Sequence, residues 1–234
     1  MTEGLGRWPD RAYAVRLAFV SGASGYPCMF DHVVFAGGGT RCLWQAGFYL
    51  EAAAALELRP RAVAAASAGA AIACAVLAGA ALPALQRFKQ ATANNPRNAY
   101  PGRLLRGQAV FPHYAMYRAA LLACIDRDAL ARLHAGPDIR IPVTRAPRWL
   151  GARSAFALAG LADAIDQLAG APVHARVAPR LGFRAEYASV HACATPEALA
   201  DLVLASSCTP PFTPALRHGG RPALDGGIAD NVPV

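Results

Sequence analysis

The arrangement of residues 32–80 constrains the fold more than any other feature of this chain. His32-Val33-Val34-Phe35 is a short apolar run that leads directly into Gly37-Gly38-Gly39, the pattern of a buried strand entering a tight loop. Leu43, Gly47, Leu50 and Ala54 then recur at spacings of three and four. This is one face of a helix, which Arg59-Pro60 is expected to end. Residues 62–66 form a second strand candidate, weak by propensity because they are nearly all Ala. Ser67 follows, and the Ala-rich stretch from Gly69 to Ala80 is helical by propensity. Strand, glycine loop, helix, strand, serine turn, helix is a βαβα order, which implies an α/β fold with a mainly parallel sheet.

The rest of the chain is less regular. His113 to Ile125 reads as a helix. Ile139-Arg140-Ile141-Pro142-Val143 reads as a strand, placed towards a sheet edge by Pro142. Leu158, Leu161, Ile165 and Leu168 form a helical stripe expected to face the core. Phe183 to Val190 alternates like a strand, and Pro196 to Ser206 reads as a helix capped by Thr195. No repeat or linker divides the chain. Residues 1–31 are expected to be an extension and 32–234 one domain.

Composition narrows the functional classes. Of 234 residues, 55% are hydrophobic and 16% charged, so the chain can bury a large core. The net charge is +8, nearly all from Arg. The Arg residues are scattered, without a dense basic run or interleaved aromatics, and no nucleic-acid partner is expected. Cys28, Cys42, Cys74, Cys124, Cys193 and Cys208 include no CxxC pair and no metal-ligand spacing, so free thiols in a reducing, cytoplasmic setting are expected, with no metal. No signal peptide is evident. Residues 62–85 carry no charge, which raises a membrane-spanning segment as one alternative. Ala inserts weakly, however, and Ser67, Gly69, Gly79 and Pro83 interrupt the run.

Three segments carry chemistry. In Ala36-Gly37-Gly38-Gly39-Thr40-Arg41, consecutive glycines at a helix start can turn backbone N–H groups towards a developing negative charge, as an oxyanion hole does. Gly38 is expected to need the positive φ of that turn. A dinucleotide-binding reading of the same loop lacks its third glycine, because Cys42 stands there, and no acidic residue ends the second strand. In Ala65-Ala66-Ser67-Ala68-Gly69, a Ser at a strand-to-helix turn has small residues two before and two after it, as a nucleophile elbow requires. A Ser capping an ordinary helix has the same look. In Leu224-Asp225-Gly226-Gly227, the Asp can direct a carboxylate into a shared site or simply open a turn.

The three segments in this order resemble the patatin-like phospholipase family, whose pattern is a glycine-rich loop with a basic residue, then a GxSxG elbow, then a late Asp-Gly-Gly. Ala205-Ser206-Ser207 before Pro210, Pro211 and Pro214, and Asp230-Asn231-Val232-Pro233, extend the likeness over residues 32–234. Ala65 departs from the first elbow glycine, and Cys42 from a glycine after the basic residue. Family members commonly continue further past the Asp-Gly-Gly, so a short or C-terminally truncated member is expected.

The resemblance implies a three-layer α/β/α fold and a lipid acyl ester hydrolase that uses no cofactor. Ser67 would be the nucleophile and Asp225 the base. The N–H groups of the Gly37, Gly38 and Gly39 loop and of Ala68 would form the oxyanion hole. Arg41 would support the loop or attract a phosphate head group, and Gly69, Gly226 and Gly227 would allow the close turns. Substrates would be phospholipids or other lipid esters at a peripheral membrane surface. A His triad is disfavoured because its order ends in His and none follows Asp225; His191 and His218 precede it. A catalytically inactive membrane-binding module remains the alternative from a different class.

Overall fold

The computed structural model describes residues 30–170 and 174–233. Cys28 and most of the 1–31 segment lie outside them. A four-stranded sheet forms the centre, in the order β1 (His32–Phe35), β2 (Ala62–Ala65), β3 (Asp138–Arg145), β4 (Arg184–Ser189). The β1–β2 and β2–β3 pairings are parallel and β3–β4 is antiparallel. Helices α1 (Leu43–Ala55), α2 (Ala68–Leu77), α3 (Ala81–Ala93), α4 (His113–Cys124), α5 (Arg127–Ala135), α6 (Ala152–Leu168), α7 (Val177–Arg180) and α8 (Pro196–Ser206) flank it in an α/β/α architecture. A hairpin, β5 (Arg217–His218) and β6 (Arg221–Pro222), follows α8.

β2 is a strand because of where it lies, not because of its composition. Four residues rich in Ala would not choose an extended state alone. Here they pair on both edges, and Val63 and Ala65 are fully buried. The main core gathers on β2 and β3 with α2 and α8, through Val63, Ile139, Ile141, Val143, Leu202 and Leu204. Thr195 caps α8 by accepting from Ala198 N at 3.2 Å.

Two expectations and one alternative are corrected. Pro142 lies in a central strand, not at an edge. Its carbonyl accepts from Ser206 Oγ, on the side of β3 where β2 has already ended. A residue's N and O point to the same side of a strand, so the missing N–H costs no ladder bond. Most of the α6 stripe faces outward: Leu161, Ile165 and Leu168 are exposed, Leu158 alone packs against the core, and Ala155, Ala159 and Ala162 form the buried face. The small alanines let α6 lie close, and the larger side chains are left outside. In α1, Gln45 is the one buried residue, and Leu43, Gly47 and Leu50 line a pocket. Finally, the uncharged run 62–85 is divided among β2, the Ser67 turn, α2 and the start of α3. Among the described residues no helix is long and apolar enough to cross a membrane.

Candidate active site

β2 stops at Ala65, and the chain reverses sharply into α2 through Ser67. Ser67 has φ 51° and ψ −127°, a conformation that a non-glycine residue adopts only when its surroundings impose it. Two contacts do so. The Ser67 N–H donates to Ser206 Oγ at 3.0 Å, and Ser206 Oγ–H donates to Pro142 O at 2.7 Å. The close approach of Gly69 is the other: a Cβ there would come within 2.5 Å of the carbonyl oxygens of Phe35 and Ala36. Only glycine fits, so the second small position of the elbow is fixed by the end of β1. Ala65, at the first small position, is fully buried in β2 without displacing it.

Where β2 leaves the sheet, a later segment takes its place. Leu224 and Thr144 exchange both backbone hydrogen bonds, each at 3.1 Å, in an antiparallel bridge on the vacated side of β3. Asp225 follows Leu224 and is thereby brought beside Ser67. Its N–H donates to Cys208 O at 2.9 Å. The buried Arg145 guanidinium holds the preceding hairpin through Glu186 at 2.8 Å and the carbonyls of Arg221 and Pro222. Gly226 packs so closely on Pro142 O that a side chain is excluded.

Ser67 Oγ–H donates to Asp225 Oδ2 at 2.6 Å, and Gly227 N–H donates to Oδ1 at 2.8 Å. Burial pushes the Asp225 carboxyl up to about 6. The hydrogen bonds from Ser67 and Gly227 pull the other way, and the Asp163 carboxylate adds a smaller upward push. No His contacts either residue by a hydrogen bond among the described residues. His191 Nε2 lies 3.2 Å from Leu133 O, and His218 sits on β5. Nor does any group of three or more potential metal ligands converge there.

The glycine loop lies against the serine: a Cβ on Gly37 would be 3.3 Å from Ser67 Cβ. Gln45 holds the loop's start, accepting from Ala36 N at 3.0 Å and donating to Ala36 O at 2.9 Å. The Gly37 N–H is committed to Asn231 O at 3.2 Å, and so is not a free donor. The N–H groups of Gly38, Gly39 and Ala68 donate to no acceptor among the described residues. The positive φ falls on Gly39 (59°) and not on Gly38, which is extended. Arg41 Nε donates to Gly38 O at 3.3 Å, which favours its loop-supporting role over a head-group contact. Cys42 is buried and its thiol donates to Ala36 O at 3.2 Å, so it fits where the resemblance has glycine.

These groups open into a pocket of about 650 Å³ walled by apolar side chains of α1, α2, α3 and α4, with Asp225 its one carboxylate. Three positioning residues escaped the sequence reading: Gln45, Ser206 and Asn231. Asn231 stood in the quoted Asp-Asn-x-Pro, and Ser206 in the Ala-Ser-Ser, but neither motif states what its side chain will hold. Gln45 gave no signal at all. His113 Nδ1, Tyr117 Oη and Ser207 Oγ are also buried in this pocket's wall without hydrogen-bond partners.

A parallel α/β sheet that ends one strand in a strained, buried serine, with a carboxylate on its hydroxyl and free amides beside it, has the layout of a serine hydrolase. Residues 33–234 match the Patatin family, described as patatin-like phospholipase, and the chain belongs to that family. Membership implies lipid acyl hydrolase activity in general. Neither the curated proteins nor the solved structures contain a match to the chain.

Proposed function

We propose that this protein hydrolyses acyl esters of lipids with a Ser67–Asp225 dyad, in one domain spanning residues 32–234. The observation that carries the proposal is the 2.6 Å hydrogen bond from Ser67 Oγ to Asp225 Oδ2 at the wall of an apolar pocket. Ser67 Oγ attacks the ester carbonyl carbon while its proton passes to Asp225. The carbonyl oxygen takes the negative charge and receives the N–H groups of Gly38, Gly39 and Ala68. Collapse of the tetrahedral intermediate releases the alcohol, which takes the proton from Asp225. Water then repeats the sequence on the acyl-enzyme. A carboxylate with an ordinary pKa is a weak base for a Ser hydroxyl, and burial of Asp225 supports the reading by making it more basic.

The pocket's lining supports an acyl chain as the group bound beside the ester. Exposed Trp44 and Phe48 lie on α1 next to the pocket-lining Leu43 and Gly47, which supports contact with a peripheral membrane surface during substrate entry. The reading is tested with a fluorophosphonate probe. Labelling confined to Ser67 and abolished by prior acid denaturation is expected. A folded protein that takes up no label would favour the catalytically inactive membrane-binding module instead.

A further inference from the structure

A second cavity, of about 1020 Å³, adjoins the pocket that holds Ser67 and Asp225. The two share wall residues, among them Asn95, Tyr114, Met116, Phe212 and Thr213. Their chemistry differs. The inner pocket is mainly apolar, with Asp225 its one carboxylate and with no Arg or Lys in its lining. The outer cavity is lined by two arginines, Arg87 and Arg103, and by no acidic residue.

The arginines are placed by separate elements. Arg87, Gln90 and Ala91 of α3 and its C-cap Asn94 share one face at spacings of three and four, and all four line the cavity. Small residues of α4, Ala115, Ala119 and Ala123, form the opposite side and leave it open. Arg103 comes from the turn of helix at Pro101–Arg106, with its guanidinium stacked 4.3 Å from the centre of the Tyr100 ring. That stack holds the group in place without satisfying its N–H donors. Neither arginine forms an ion pair with a described carboxylate. Arg41, on the glycine loop, is turned to Gly38 O, so anion recognition falls to the outer cavity.

We infer that the outer cavity is a subsite for a phosphate group carried on the alcohol side of the substrate, bound by Arg87 and Arg103. This rests on the hydrolase reading and deepens it: the acyl chain occupies the inner pocket, the ester lies at Ser67, and the anionic end reaches the arginines. The cavity's amides, Gln90, Asn94 and Gln108, add donors for the remaining phosphate oxygens. Neutral acyl esters of the same chain length fill the inner pocket equally but leave both guanidinium groups unpartnered.

The test compares two soluble monomeric substrates with one acyl chain, a 1-acylglycerol 3-phosphate and the matching 1-acylglycerol. The measured quantity is the ratio of their kcat/KM values. The wild type is expected to prefer the phosphate ester by about tenfold or more at low salt, since each charge-assisted hydrogen bond contributes about tenfold. Arg87→Gln with Arg103→Gln should bring the ratio near one, whereas the double Lys variant should keep part of it. A wild-type ratio near one, or a preference unchanged in the Gln variant, overturns the subsite. Calorimetry with the non-hydrolysable ether analogue separates this from failure of the dyad. Arginine-dependent binding without hydrolysis of either ester counts against Ser67 and Asp225 while supporting the subsite. Inorganic phosphate is the remaining arm: binding as tight as the ether lipid marks a free-anion site and refutes the proposal.

Discussion

Replacing Asp225 with Asn keeps the shape of the side chain and removes its ability to take a proton. The Asn carbonyl oxygen can still accept from Gly227 N–H, and the amide can face Ser67 Oγ, so the turn should survive. Turnover should not. When groups act as one catalytic unit, loss of either removes most of the effect, so kcat/KM on a short-chain aryl ester should fall by roughly a thousandfold or more. The double variant with Ser67→Ala should be little worse than either single.

Stability should move the other way. The Asp225 carboxyl is raised to about 6 by burial. Between the ordinary carboxylate value and that point, the folded protein holds a proton that the unfolded chain releases. Stability therefore falls as pH rises through this window. A displacement of about two pH units corresponds to about 3 kcal/mol, reduced to about 1–2 kcal/mol by screening from the open pocket that Asp225 lines. Asn carries no such charge. Thermal melts should show the variant more stable than wild type by about 2–8 °C at pH 8, with the two converging near pH 4. In the wild type, kcat/KM should fall tenfold per pH unit below about 6, as the base becomes protonated. Substantial turnover by Asp225→Asn, or a variant less stable than wild type at pH 8, would refute the account of Asp225 as a desolvated base.

Ser67→Ala should abolish hydrolysis with the far-UV spectrum unchanged, whereas His191→Ala and His218→Ala should leave kcat within about threefold; a collapse in either His variant would require a different proton carrier. Gly39→Val should lower turnover on the order of a hundredfold or more, and more than Gly38→Val does, because the left-handed conformation falls on Gly39; the reverse order of severity in aryl ester assays would misplace the oxyanion loop. Ser206→Ala leaves the buried Ser67 N–H and Pro142 O unpaired, and denaturant unfolding should report a loss of about 2 kcal/mol together with reduced kcat. Activity should be unchanged after EDTA treatment, and a loss restored by calcium would count against the dyad.

The turns that bring Ser67 and Asp225 together were legible because close backbone approach leaves a mark in sequence. Gly69 and Gly226 stand where any side chain would strike a carbonyl, and such positions read directly as glycine. The burial of faces was less legible. In α6 the stripe of large apolar residues suggested the core, yet the alanines on the other side are the ones that fit, because proximity to the neighbouring layer favours small side chains there. In α1 the stripe lines a cavity, and a sequence does not distinguish a wall of the core from a wall of a pocket. Pro142 misled for a related reason: a proline's cost depends on whether its side of the strand is paired, and here β2 ends just before it. Gln45 braces the backbone of Ala36, and Ser206 ties Ser67 to Pro142 across more than sixty positions, each through side-chain hydrogen bonds that no local pattern encodes.

The bridge between Thr144 and Leu224 also bears on timing. Ser67 and Asp225 are 158 positions apart, and the carboxylate reaches the serine only through a segment that enters the sheet's vacated side late in the chain. Synthesis runs from the N-terminus, so β1, β2 and β3 with their helices can associate while the Asp225 segment has yet to emerge. Until it docks, Ser67 lacks its carboxylate partner. On the proposed dyad, a lipid hydrolase of this design would begin its existence disarmed and become competent only once the segment that completes its sheet is in place.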